Sequence, residues 1–349
     1  MKKTVGLFIL VLFIVLTVES LYIANRTWVV KQIAPVKTPI PTPLNAYTFE
    51  NLKKVKFPQN KITFGHVVSE NKDFISQMFY YSVPKFPGGS IMDKVSGLAN
   101  VPRKPGNYPV IVMFRGFVPD DIYKPGVGTQ PVANILAQNG YITLAPDFLG
   151  YGESDRPSND PFENRFQTYT TALALLSSLP TINEGLSASY SGSITADLEK
   201  TGIWGHSNGG HIALSTLEIS GGLYPTVLWA PVSASFPYSI LYYTDESDDQ
   251  GKALRKTLAS FETIYNTDLF SPTNYLNWIK APMEINQGTA DQEVPYWWSD
   301  NLTSTLKKDK VSVNYIIYPG ADHNMLPENL WSNAASNTLD FYNKEFLAK

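Results

Sequence analysis

From Lys61 onward the chain alternates short apolar runs with stretches whose apolar residues recur at helical spacing. Phe74–Tyr81 and Ile91–Leu98 read as early antiparallel strands with Pro84–Gly89 as the turn between them. Pro109–Phe114 (PVIVMF) is a continuous apolar β run, the pattern of a strand buried on both faces. Pro131–Gln138 has helical spacing and stops at Asn139-Gly140, an ordinary helix end. Tyr141–Ala145 predicts another buried strand, Phe166–Leu179 a helix, and Gly202–Trp204 a strand followed by a helix from His211 to Glu218. Thr226–Ala230, Met283–Asn286 and Val313–Tyr318 complete the series. Alternation of this kind predicts the α/β class, a mostly parallel central sheet with helices on both faces, over residues 61–349. No internal repeat is seen.

One stretch within that domain, 233–280, fits the alternation less well. Phe236–Tyr243 is aromatic, Asp245–Asp249 is acidic, and Lys252–Tyr265 has helical spacing. It is a candidate small helical cap whose aromatics line an acyl or aryl pocket, or equally a surface helix pair packing on the sheet.

The first residues have a different pattern. Met1-Lys2-Lys3 is basic, Val5–Val18 is apolar, and the apolar character resumes past Glu19 in Leu21–Ala24. Residues 1–24 are therefore expected to form a signal anchor, a single membrane span with Lys2 and Lys3 on the cytoplasmic side. A cleaved signal peptide, giving a secreted protein, is the alternative. Either one places the rest of the chain outside the cytoplasm. Residues 25–60 read as a linker, because the four prolines of Ala34–Pro43 favour an extended spacer.

Composition narrows the chemistry. Hydrophobic residues make up 43% and charged residues 17% of the 349, ordinary for a globular protein with a sizeable core. A formal net charge of −3 leaves no electrostatic footprint for nucleic acid. There are no cysteines, so disulfides, thiolate metal sites and cysteine nucleophiles are excluded, while the redox compartment stays open. No metal site or cofactor is expected, and the oligomeric state is left open.

The most informative motif is Gly205-His206-Ser207-Asn208-Gly209, a G-x-S-x-G pentapeptide lying between an apolar strand and a helix. That context is the nucleophile elbow of the α/β-hydrolases, in which a sharp turn lifts the serine hydroxyl out of the sheet. An unassisted hydroxyl is a poor nucleophile and needs a base that takes its proton and an acid that orients the base. His323 follows the Val313 strand and Asp291 follows the Met283 strand, which gives the chain order Ser207, Asp291, His323 that this fold requires. Asp322 and Glu293 are the rival acids. His206 is the variable residue of the motif, and His211 reads as a packed helix residue rather than a metal ligand. An acyl-transfer oxyanion needs two donors. These are assigned to the N–H of Asn208 and, in the loop Arg115-Gly116-Phe117, to the N–H of Phe117. Trp297 and Trp298, after the acid loop, are either core or a wall of the binding site.

Val95–Pro102, Val110–Val118, Asn139–Ser154 and the elbow together resemble the catalytic domain of the prolyl oligopeptidase family, over roughly residues 70–345. The resemblance implies an α/β-hydrolase fold and a serine hydrolase acting on a small-molecule or peptide acyl substrate through an acyl-enzyme. Stand-alone relatives are esterases, acylaminoacyl-peptidase-like or dienelactone-hydrolase-like proteins. A carboxylesterase-type activity is the leading expectation, and an aminopeptidase-like serine peptidase is the alternative. A non-catalytic surface-binding protein on the same fold is the reading from another class. Two features depart from the family. Arg115 stands where members often carry histidine, and no N-terminal β-propeller is seen. Asp147, within the resembling stretch, is expected to be structural.

Overall fold

A computed structural model of the chain describes residues 16–26, 41–244 and 248–347. The chain divides into two units, Met1–Thr42 and Pro43–Lys349. In the first, residues 16–26 are helical and exposed. Residues 1–15, which hold most of the expected anchor, lie outside the described residues, as does most of the proline-rich stretch. Among the described residues no helix is long and apolar enough to cross a membrane.

The second unit is built on a nine-stranded sheet: β1 (Thr63–Glu70), β2 (Phe74–Pro84), β3 (Met92–Pro102), β4 (Gly106–Phe114), β5 (Ile142–Pro146), β6 (Ile194–His206), β7 (Thr226–Trp229), β8 (Met283–Gly288) and β9 (Val313–Tyr318). The spatial order is β1-β2-β3-β5-β4-β6-β7-β8-β9. Pairings from β1 to β5 are antiparallel, and every pairing from β5 to β9 is parallel. The helices are α1 (Phe49–Leu52), α2 (Gln130–Gln138), α3 (Pro161–Ser178), α4 (Ile182–Tyr190), α5 (Asn208–Ser220), α6 (Tyr238–Leu241), α7 (Lys252–Glu262), α8 (Tyr296–Lys308) and α9 (Glu328–Leu347). This is the α/β-hydrolase architecture expected from the sequence.

Side-chain alternation along the central strands explains why both faces are covered. On β4, Val110, Val112 and Phe114 join one apolar cluster with residues of α3, α4 and α5. Ile111 and Met113, between them, join the opposite cluster with α2 and α9. On β6, Ile203 and Trp204 divide in the same way. Strands flanked by two apolar layers have no polar side, so their sequences read as unbroken hydrophobic runs.

The linker ends earlier than residue 60. Tyr47, Phe49, Leu52 and Ile62 are buried in the first cluster, and the Phe49 ring stacks on Tyr275 at 4.9 Å. An apolar segment directly after the prolines found a surface to cover. Most of 233–280 is also rooted in that cluster: Phe236, Phe261 and Phe270 are buried. Phe166 of α3 lies 5.7 Å from the Phe236 ring and is stacked on Phe270 at 4.8 Å. The surface-packing description fits this segment better than that of a detachable lid. The helix expected from Phe166 begins at Pro161, where the Asp160 side chain caps the N–H groups of Phe162 and Glu163, both at 2.9 Å.

Because Phe166 is fully enclosed by aromatic neighbours, Phe166→Ala should cost about 3–5 kcal/mol of unfolding free energy. Urea unfolding followed by far-UV circular dichroism measures this, and a loss near zero would mean that the aromatic cluster is not packed as described.

Candidate active site

β6 delivers its last residues beside the end of β4, with Phe114 opposite Gly205. The next residue, Ser207, takes φ 56° and ψ −121°, a conformation costly for any residue with a Cβ. α5 starts immediately afterwards at Asn208. The turn can be this tight only because of its glycines. A Cβ on Gly209 would lie 1.9 Å from the Phe114 carbonyl oxygen, and one on Gly205 would lie 2.6 Å from that of Gly209. Both backbone groups of Ser207 are tied down: its N–H donates to Trp229 O and its carbonyl accepts from Val232 N–H, each at 3.0 Å.

The predicted acid and base meet. His323 Nδ1 donates to Asp291 Oδ2 at 2.9 Å, and the Asp291 side chain is fully buried. Asp291 Oδ1 accepts the N–H groups of Glu293 and Val294 at 2.9 and 2.8 Å. Burial alone would raise this carboxyl. The hydrogen bond and charge of His323 and the two backbone donors outweigh burial and hold it below the usual carboxylate range. Asp291 is therefore an anion that fixes the imidazole tautomer with Nε2 free. The loops carrying the two residues are joined by Ala290 N–H to Ala321 O at 2.9 Å. Asp322 is spent on its own turn, accepting from Asn324 and Leu326 N–H, so it is not the orienting acid. The exposed Glu293 carboxylate lies 3.8 Å from Nε2, the face opposite the orienting contact.

The imidazole of His323 sits against the elbow. Its ring is 4.7 Å from that of His206, and His206 Nε2 bonds His323 O at 3.0 Å. Ser207 Oγ forms no hydrogen bond to His323 among the described residues. Such contacts are often long until a substrate is seated. His211 is buried, with its ring nitrogens on Tyr169 OH and Val232 O, and it acts as a packed helix residue. Gly116 lies against the serine: a Cβ on it would be 3.0 Å from Ser207 Cβ and 3.5 Å from Oγ. The N–H groups of Asn208 and Phe117 have no protein acceptor among the described residues, as oxyanion donors require, and the Phe117 side chain is 76% exposed. Trp298 is core, packed with Val232 and Val294, whereas Trp297 is half-exposed.

Gln287 was not singled out by the sequence. It is fully buried, donates to Asp291 Oδ2 at 3.0 Å, and accepts from Ser299 Oγ at 2.7 Å. Its place at the end of a buried strand is the available signal, shared with the buried polar Glu284 and Asn286 of the same strand. Asp147, as expected, is structural: it is buried and accepts the hydroxyls of Ser96 and Tyr123, each at 2.5 Å.

Burial, and next the neighbouring His323 ring, push the His206 imidazole down to about 4, against the hydrogen bond to the His323 carbonyl and the carboxylates of Asp291 and Asp322. The unfolded chain would protonate this residue near pH 6.5. The unfolded state then binds more protons between the two values. Stability is full above about pH 6.5 and falls as pH drops toward 4. His206→Asn should reduce the loss of unfolding free energy between pH 7 and 4.5 by about 2 kcal/mol relative to the unaltered protein. Denaturation at the two pH values measures it, and equal losses in both proteins would contradict a buried neutral His206.

Residues 177–349 match the sequence profile of the prolyl oligopeptidase family, and residues 94–221 match that of chlorophyllase. A protein of Synechocystis sp. named "Putative carboxymethylenebutenolidase" is 22% identical over 264 residues, covering 72% of this chain and 89% of its own length. Acetyl xylan esterase 1 from Thermoanaerobacterium sp. superposes with a TM-score of 0.55 at 14% identity, over 87% of this chain and 95% of its own. The acylaminoacyl peptidase of Pyrococcus horikoshii superposes with a TM-score of 0.51 at 16% identity, over 79% of this chain but 49% of its own. At these identities the solved structures share the fold.

Proposed function

We propose that this chain, an α/β-hydrolase whose C-terminal half is of the prolyl oligopeptidase type, is a serine hydrolase that cleaves carboxylic esters through an acyl-enzyme. The observation that carries the proposal is the buried Asp291–His323 hydrogen bond standing against a strained serine elbow. Ser207 Oγ attacks the ester carbonyl and gives its proton to His323 Nε2. Asp291 stabilises the imidazolium, and the N–H groups of Asn208 and Phe117 receive the oxyanion. Collapse expels the alcohol, which takes the proton from Nε2. Water, deprotonated by the same nitrogen, then hydrolyses the acyl-serine and releases the acid. An ester substrate is favoured by the names of the relatives, a butenolidase matched over 72% of this chain and an acetyl xylan esterase over 87% of it. The match to a peptidase family keeps amide cleavage as the second reading. Export belongs to the same proposal and rests on the basic start and the apolar run of residues 5–18.

A fluorophosphonate probe should label the protein, and Ser207→Ala and His323→Ala should abolish the labelling. Asp291→Asn should lower kcat by about 10³–10⁴ while leaving the fold intact. p-Nitrophenyl acyl esters should be turned over at least about 100-fold faster than peptidyl-nitroanilides in kcat/KM, a difference of about 2.7 kcal/mol in barrier. Folded protein that takes no label would point instead to a non-catalytic binding role, and preference for the anilides would move the assignment to a peptidase.

A further inference from the structure

Arg115 is a buried cation beside the elbow, with 7% of its surface exposed and, among the described residues, no hydrogen bond at Nε. Burying a guanidinium that is only partly satisfied works against stability, so its presence calls for another reason. Three aromatic rings surround it. The guanidinium carbon is 4.0 Å from the centroid of Tyr151, 4.7 Å from Tyr123 and 5.8 Å from Phe148. The cage is itself fixed: Tyr123 packs edge-on against Tyr151 at 4.8 Å, and its hydroxyl donates to Asp147. From this cage Nη2 donates to Asp147 O at 3.1 Å, and Nη1 donates to Gly116 O at 2.9 Å.

The second of those bonds bears on catalysis. Gly116 and Phe117 share one planar trans peptide, whose carbonyl and N–H point in opposite directions. Fixing Gly116 O toward Arg115 therefore fixes the Phe117 N–H away from it. On the far side of Phe117, the Tyr151 hydroxyl donates to Val118 O at 3.1 Å. The loop is clamped on both sides of Phe117, and a Cβ on Gly116 would crowd Ser207. We propose that Arg115 is a positioning residue that aims the Phe117 N–H at the oxyanion, with the aromatic cage holding the guanidinium in register. Lysine cannot replace it, because an ammonium lacks the planar fork that reaches two carbonyls while lying flat on a ring.

This inference rests on the serine hydrolase reading, and its test separates the two. The rate of fluorophosphonate labelling, kcat and KM for p-nitrophenyl acetate, and affinity for a phenylboronic acid are compared in the unaltered protein, Arg115→Lys, Arg115→Met and Tyr151→Phe. Melting temperature is followed throughout. Arg115→Lys and Arg115→Met should lose about 100-fold in kcat and in labelling rate, with KM within about threefold, since one oxyanion donor is worth about that much. Boronate affinity should fall in parallel. A folded Arg115→Met with unchanged kcat, or a loss confined to KM, overturns the inference. If Arg115→Met does not fold, Arg115→Lys decides: reduced kcat at unchanged melting temperature supports it, and unchanged kcat overturns it. An unaltered protein that takes no label removes the hydrolase reading itself.

Discussion

The approach of the Gly209 backbone to the Phe114 carbonyl sets the rest of the site. It leaves no room for a side chain, and so the start of α5 is pressed onto the end of β4. Three consequences follow from that one contact. The chain must reverse within a single residue, which forces Ser207 to positive φ. The first N–H of α5, that of Asn208, is left without an acceptor among the described residues. The loop leaving β4 runs beside the serine, close enough for Gly116 to touch it. Strain of this kind costs about 1–3 kcal/mol and persists only when its surroundings fix it. Here β6 is held on both sides by parallel ladders and on both faces by apolar layers, which hold the turn in place.

The acid and base show the complementary constraint, that of keeping a charge in a dry place. A carboxylate as buried as Asp291 persists only if its oxygens are filled, and four donors fill them: two backbone N–H groups, Gln287 Nε2 and His323 Nδ1. Three of the four come from the chain segment around Asp291 itself, and His323 supplies the fourth and the strongest pull on the carboxyl toward its anionic form. His206 then bonds the His323 carbonyl and stays neutral, because burial beside a second imidazole disfavours its charge. In the proposed mechanism, a cation there would compete with the imidazolium formed at His323 during attack. The variable residue of the G-x-S-x-G motif is thus part of the support for the base.

Much of this was legible in the residues, and the parts that were not share a cause. The buried central strands announce themselves because both faces are apolar, and the order of Ser207, Asp291 and His323 follows from their places after successive strands. β1 gave no such signal: it is an edge strand, almost wholly exposed, with irregular register against β2. The helices α4, α8 and α9 were also missed. α8 begins with Tyr-Trp-Trp and α9 mixes buried Ala334, Ala335 and Thr338 with polar neighbours, patterns in which packing rather than periodicity selects the face. The linker boundary failed for a related reason. Tyr47 and Phe49 are ordinary in sequence, and only the open face of α3 and α5 gives them somewhere to go. Gln287 and the contacts of Arg115 depend on long-range geometry that local sequence does not encode.

The segment 233–280 shows how packing limits function. A lid must leave its site at a cost compatible with turnover. Opening this segment would expose Phe236, Phe261 and Phe270, and each fully buried aromatic is worth about 2–3 kcal/mol. Together they amount to more than half of the stability of a typical domain, so the segment does not swing as a unit. Its outward rings, Tyr238 and Tyr242, instead lean on Trp298 at 6.0 and 5.1 Å, anchored from below by the buried phenylalanines. Trp298 packs on Val232, whose N–H holds the Ser207 carbonyl. A fixed aromatic layer therefore reaches Ser207 through two contacts.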